Sequence, residues 1–198
     1  LSMQLPLFPL NTVLFPGCML NLQLFEPRYL DMLSRCMKQN NSFGIVTLIE
    51  GREVGTAAKR FSVVGCEALI KDWQQLANGL LGIRIEGGRR FVVEQADVQN
   101  DQLTVAQVQW IEPCSEQPLN EDHADLLALL QALAAHPMAA NLGVDGLAGS
   151  QQALANQLAY LLPLGLEEKL ALLELNQPAE QLSHIQVLLK QLEGVIHA

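Results

Sequence analysis

Two arginine contexts are the strongest candidates for recognition chemistry in this sequence of 198 residues. Arg28 sits in Phe25-Glu26-Pro27-Arg28-Tyr29, and Arg89-Arg90 follow Gly87-Gly88. A guanidinium makes strong, directional bonds to carboxylates and carbonyls. Those acceptors can belong to the chain itself or to a partner. Most arginine pairs in folded chains serve the scaffold, so the structural role carries more weight. Lys59, Arg60, Arg84, Arg89 and Arg90 are interleaved with Glu53, Glu67, Glu86 and Glu94. That pattern reads as a solvated mixed face rather than a basic patch.

The search for catalytic residues returns none. The sequence holds no G-x-x-x-x-G-K-[ST] loop to cradle nucleotide phosphates and no G-x-G-x-x-G. It holds no G-x-S-x-G nucleophile elbow. His123, His136, His184 and His197 form no H-E-x-x-H pair, so neither a metal site nor any cofactor is expected. Each reads as a surface or helix-end histidine. Glu167 and Glu168 are adjacent and would point apart on a helix, so they suit a helix's first turn better than paired-carboxylate catalysis. Cys18, Cys36, Cys66 and Cys114 lie 18, 30 and 48 residues apart, with no C-x-x-C pair. They read as reduced, part-buried thiols of a cytoplasmic protein.

The elements that must position these residues change character near residue 114. Before it, strand grammar dominates. Leu20, Leu22 and Leu24 alternate with Asn21 and Gln23 after the Pro16-Gly17 turn. Pro6 and Pro9 flank apolar residues, which predicts an edge strand or an extended arm. Pro27 suits the first position of a helix ending near Asn40-Asn41. Its inward face would be Leu30, Leu33 and Met37, with Met32 and Cys36 beside them. Ile45 to Ile49 and Val64 to Ile70 read as strands. Ile83 and Ile85 begin another, and Gly87-Gly88 predicts a hairpin into Arg90 to Val93. A phase slip between Leu103/Val105 and Ala106/Val108/Trp110 predicts a bulge near 105–106. Short strands with regular turns and one helix predict a closed or nearly closed barrel.

Beyond Pro118 the spacing is helical. Asn120 is an N-cap candidate for a helix ending before Pro137, and Ser150 for one reaching about Leu162. Leu166 to Leu175 resumes, and Pro178 opens a last helix. Leu182, Ile185, Leu188/Leu189, Leu192 and Ile196 form its buried stripe. The boundary is expected at about 114–120, giving a barrel over 1–115 and helices over 116–198.

Charge divides at the same place. The net of 12 − 21 = −9 splits into 10 − 11 = −1 for residues 1–113 and 2 − 10 = −8 beyond. This balance disfavours nucleic acid as the main partner and disfavours an anionic membrane surface. At 49% hydrophobic and 17% charged, the chain is not disordered. No apolar run reaches the ~18–20 residues that span a bilayer. Prolines 6, 9 and 16 interrupt any secretory signal, and Leu1-Ser2 before Met3 reads as a cloning remnant.

The same residues resemble a known family in order along the chain. Leu5-Pro-Leu-Phe-Pro-Leu10, Val13-Leu-Phe-Pro-Gly17 and Leu24-Phe-Glu-Pro-Arg-Tyr29 resemble the opening of the N-terminal domain of Lon proteases. Phe43-Gly-Ile-Val46, Glu53-Val-Gly55, Val64 to Ile70 and Gly87-Gly-Arg-Arg-Phe91 continue the likeness. Leu162-Pro-Leu164 and Glu168 to Glu174 extend it into the helices. Gln181 departs from the pattern, standing where an arginine is common, which puts one local salt bridge in doubt. The resemblance implies an α+β fold: a PUA-like β-barrel with one helix, followed by a C-terminal helical bundle. It also implies recognition of protein substrates.

The expected function is therefore a stand-alone, non-catalytic Lon N-terminal-type domain in the cytoplasm. It would bind unfolded or exposed protein or peptide segments as an adaptor in quality control, in concert with a separate protease. An unpaired strand edge beside the N-terminal prolines would supply one face of the groove. Phe25, Arg28, Tyr29 and Phe91 are the candidate binding residues. RNA binding through the PUA-like barrel is the alternative, and it rests on fold analogy alone. An enzyme with a dispersed site ranks last, and would need a pocket with convergent polar groups and shifted titrating residues. The sequence does not specify an oligomeric state.

Overall fold

The computed structural model describes residues 3–51, 53, 55–58 and 60–196. Lys59 of the interleaved basic set, Val54 of the Glu53–Gly55 match, His197 and the Leu1-Ser2 start lie outside them, as does the Ile196 side chain. The chain divides into two compact units, Leu1–Glu112 and Pro113–Ala198.

Among its described residues the first unit holds seven strands, β1 (Met3–Leu10), β2 (Met19–Leu24), β3 (Phe43–Glu50), β4 (Arg60–Phe61), β5 (Val64–Gln75), β6 (Leu81–Val98) and β7 (Thr104–Trp110). Five of them close into a ring in the order β1-β7-β6-β5-β3, with β3 returning to β1. Every pairing is antiparallel except β1 with β3. β2 adds to the first half of β6, and β4 to the end of β3.

β1 is the seam of this ring, so the open edge expected beside the prolines switches sides between its two halves instead of running along the whole strand. Met3–Leu7 pairs with β7, and Leu7–Leu10 pairs with β3. Pro6 falls in the half with β7 alone, and Pro9 in the half with β3 alone. Each half has one side without a strand partner, where a missing N–H costs little.

Gly87-Gly88 is not a hairpin. β6 runs through it without a break, and neither glycine has a positive φ. Gly87 is there because another backbone passes against it. A Cβ at that position would lie 2.1 Å from the Phe15 carbonyl oxygen. The strand touches the start of β2 through Gly17 N–H to Gly87 O and Gly87 N–H to Cys18 O, both 2.8 Å. The reversal between β5 and β6 falls instead at Asn78 (φ 66°) and Gly79 (φ 77°). An Asn-Gly pair tolerates those left-handed angles, so the usable turn signal was there. The expected bulge in β7 is also misplaced. Thr104, Ala106 and Val108 alternate without a slip, and the irregularity lies in β6 between Val93 and Gln95. Leu103 precedes the strand and packs with Val105 in one apolar cluster while Ala106 and Val108 pack in another, which produced the apparent phase change.

Helix α1 (Pro27–Gln39) begins with proline at its first turn and ends on Asn40 in the left-handed region. It buries Tyr29, Met32, Leu33 and Cys36 with Phe8, Leu10, Phe43, Ile45 and Ile85 in a large apolar cluster. Met37, expected inward, is 42% exposed. A smaller cluster joins Leu5, Leu7, Val46, Phe91, Ala106 and Val108. Burying a side chain of this size contributes roughly 1.5–3 kcal/mol.

The second unit holds α2 (Ala124–Ala135), α3 (Gln151–Leu161), α4 (Leu166–Glu174) and α5 (Pro178–Ile196). α3 packs against α2, α4 and α5. Leu154, Leu158, Leu172, Ile185 and Leu188 are buried. Ser150 caps α3, its Oγ accepting from Ala153 N–H at 3.2 Å. Asn120 Oδ1 accepts from Asp122 N–H at 2.9 Å ahead of α2. Gln181 fills the place of the expected arginine with a buried bond of its own, Nε2 donating to Leu172 O at 2.9 Å.

Candidate functional site

The proline that opens α1 sets Glu26, Arg28 and Tyr29 close together at the start of the helix. Arg28 is 5% exposed, and its donors are turned inward. Nε pairs with Glu26 Oε2 at 3.1 Å, and Nη1 donates to Gln102 O at 2.8 Å. Gln102 has φ 71° in the turn joining β6 to β7. Arg28 therefore fastens the helix to that turn. Tyr29 is buried edge-on against Phe8, with ring centroids 4.1 Å apart. Burial pushes its hydroxyl up to about 12, with Glu26 and Glu53 adding to the rise and Arg28 opposing it. The phenol is neutral at any physiological pH. Phe25 stands beside them at 52% exposed, on the rim of a hollow of about 210 Å³ floored by Phe8, Leu10 and Leu24.

Phe91 is not part of this group. It is fully enclosed, edge-on to Trp110 at 6.0 Å. Its ring occupies the space over Gly65, where a Cβ would come within 2.4 Å of it. Alternation along β6 points Phe91 inward, so its contribution is packing. Of the four candidate residues, the fold brings Phe25, Arg28 and Tyr29 together and leaves Phe91 in the core.

A second site lies at the other end of α1, where a groove of about 660 Å³ runs between the helix terminus and β5. Ser42, Glu67 and Arg89 converge there. Glu67 has 6% of its side chain exposed. Its Oε1 accepts from Arg89 Nε at 3.1 Å and from Arg89 backbone N–H at 3.2 Å. Its Oε2 accepts from Arg89 Nη2 at 3.1 Å and from the Ser42 hydroxyl at 2.6 Å. Burial would raise this carboxyl, but the bonds from Arg89 and Ser42 outweigh it and hold Glu67 below the usual carboxylate value. The same bond to Glu67 raises Arg89. The Arg89 guanidinium also lies over the Trp110 ring, 3.8 Å from its centroid. The carboxylate thereby orients the Ser42 hydroxyl toward itself.

This second site was hidden in the sequence because Ser42, Glu67 and Arg89 come from three separate elements. Trp73, 52% exposed on β5, gave no simple signal either, because a register irregularity between Ile70 and Asp72 sets it opposite Ile83 and out of the phase of Glu67, Leu69 and Lys71. Arg89 and Lys71 each have an acidic partner, Glu67 and Glu86, both at 3.1 Å. Among the described residues no cluster of His, Cys, Asp or Glu could hold a metal ion. His123 and His136 each accept a backbone N–H through Nδ1 at a helix end, at 3.0 and 3.2 Å. Cys18, Cys36 and Cys66 are buried thiols and Cys114 is half-buried. No helix among the described residues is long and apolar enough to cross a membrane.

Residues 4–191 match the ATP-dependent protease La (LON) substrate-binding domain. The chain belongs to the Lon substrate-binding domain family. The Lon N-terminal domain protein from Xanthomonas campestris shares the fold at a TM-score of 0.77, with 31% identity over 93% of this chain and 98% of that one. The N-terminal domain of Mycobacterium avium complex Lon protease shares the fold at 0.63, with 18% identity over 92% and 96%. Lon protease 1 of Hydrogenovibrio crunogenus is 26% identical over 183 residues, or 88% of this chain. The chain spans 22% of that relative's length. The likeness to Lon N-terminal domains thus runs through both the strand ring and the helices.

Proposed function

We propose that this Lon-type chain binds unfolded or exposed segments of proteins without acting on them chemically. In this reading it serves as an adaptor that presents them to a separate protease. One observation carries the proposal: the match to a substrate-binding domain spans residues 4–191, nearly the whole chain. Half-exposed Phe25, with Arg28 and Tyr29 fixing the helix behind it, supplies one apolar contact of the kind such binding uses. The buried thiols are in keeping with a reducing compartment such as the cytoplasm.

The test is direct binding of the whole chain to a chemically unfolded, fluorescently labelled protein, beside an isolated Lon N-terminal domain as reference. Saturable binding to the unfolded form and none to its folded form is expected. No binding where the reference binds defeats the proposal. A labelled RNA in the same assay, titrated with salt, separates phosphate binding, which weakens steeply.

A further inference from the structure

We infer that the groove between the end of α1 and β5 holds an extended, uncharged apolar stretch of a protein substrate, with Arg89 donating to one of its main-chain carbonyls. This rests on the substrate-binding reading above and adds where and how the segment is held. Three features of the groove point to that occupant.

The first is charge. Four charged residues line the groove, and they cancel: Glu67 and Asp72 against Lys71 and Arg89. A phosphate, a carboxylate or a strongly basic segment would find no matching field there. An uncharged stretch of backbone would meet no opposing one.

The second is Arg89. Its Nε and Nη2 are committed to Glu67, and stacking on Trp110 fixes the plane of the guanidinium. Nη1 makes no hydrogen bond among the described residues, and the side chain is 52% exposed. A donor held this firmly loses little rotamer freedom when it meets an acceptor. Its positive charge is already satisfied by Glu67, so a neutral carbonyl is a better match than a second carboxylate.

The third is the apolar wall. Met37, Leu69, Ile70 and Trp73 line the groove beside the polar end formed by Asn41 and Ser42. Met37 and Trp73 are 42% and 52% exposed. Trp73 also lines an adjoining hollow of about 540 Å³ with Leu22 and Leu76. A half-exposed tryptophan between two depressions is the residue type that anchors interfaces. Alternate side chains of an extended segment would rest on this wall while its backbone faces Arg89.

The experiment uses fluorescence anisotropy of the full chain with a short labelled peptide. The peptide alternates leucine and serine and is acetylated and amidated to remove its end charges. Trp73→Ala is expected to weaken binding about tenfold, as a lost aromatic anchor does. Arg89→Lys keeps a cation but loses the planar fork, and is expected to weaken it about threefold or more. Val98→Ser, on a half-exposed residue outside this groove's lining, is expected to leave it unchanged. Circular dichroism checks that each variant is folded. Trp73 is a surface residue, so its variant stays informative if Arg89→Lys unfolds. A free C-terminal carboxylate is expected to add nothing, and raising salt is expected to change affinity less than about twofold. If the wild type binds the peptide and a folded Trp73→Ala binds it equally well, the groove assignment is overturned while the substrate-binding reading stands. A tenfold gain from the free carboxylate overturns the uncharged occupant. A wild type that binds neither the peptide nor unfolded protein overturns both.

Discussion

The Glu67–Arg89 pair offers a sharp test because the same chain contains an internal control. Lys71–Glu86 has the same closest approach, 3.1 Å, but its side chains are 47% and 34% exposed. Glu67 has only 6% of its side chain exposed, and Arg89 reaches it through two parallel bonds. Removing one partner of a fully buried pair costs about 3–5 kcal/mol. Arg89 is itself half exposed, so water reaches the vacancy, and a reduction to about 2 kcal/mol follows. A double-mutant cycle with Glu67→Gln and Arg89→Ala is therefore expected to give a coupling of about 1.5 kcal/mol. The Lys71→Ala and Glu86→Gln cycle should give below about 0.5 kcal/mol. Urea unfolding followed by tryptophan fluorescence reads this cleanly, since both tryptophans, Trp73 and Trp110, lie in the strand unit. The pH dependence has a definite sign. Glu67 is held below its usual carboxylate value, so its contribution is present above the unfolded-state pKa. It is lost as pH falls through the lower, folded-state value. Glu67→Gln should flatten that acid limb. Equal coupling in the two cycles, or an unchanged acid limb, would refute the reasoning.

Two further outcomes follow from the packing. Gly87→Ala would bring a Cβ against the Phe15 carbonyl and disturb the two bonds joining Gly87 to Gly17 and Cys18. A loss of about 3 kcal/mol or failure to fold is expected, and an unchanged urea midpoint would show that the two strands do not pass so closely. Cys66 is fully enclosed and burial pushes its thiol well up, whereas Cys114 is half-buried. Thiol labelling of the folded protein, read by mass spectrometry, should modify Cys114 first and Cys66 last; early labelling of Cys66 would contradict the buried placement.

Local chemistry was enough to read the helices. Pro27 with Asn40 bounded α1, Ser150 and Pro178 opened their helices, and the leucine period marked the buried stripe of α5. These signals act within a few residues, through caps, fixed φ angles and side-chain spacing. The ordered likeness to Lon N-terminal domains also lay in the sequence, because it is a property of residue order. The readings that failed depended on residues far apart in the chain. Gly87-Gly88 has the composition of a turn, and only the passage of Phe15 beside it shows that the glycines serve close approach. Pro6 and Pro9 forbid hydrogen bonds on one side, but only the closure of β1 on both β3 and β7 shows where those sides lie. The groove has the same origin. Arg89, Glu67, Ser42 and Trp110 span almost 70 residues, as 110 − 42 = 68. No local pattern ties an arginine to a carboxylate 22 positions away. The amino-acid order determined the helices and the family. The closing of the strands into a ring decided which of the polar side chains meet, because burial and pairing are properties of the packed chain and not of its segments.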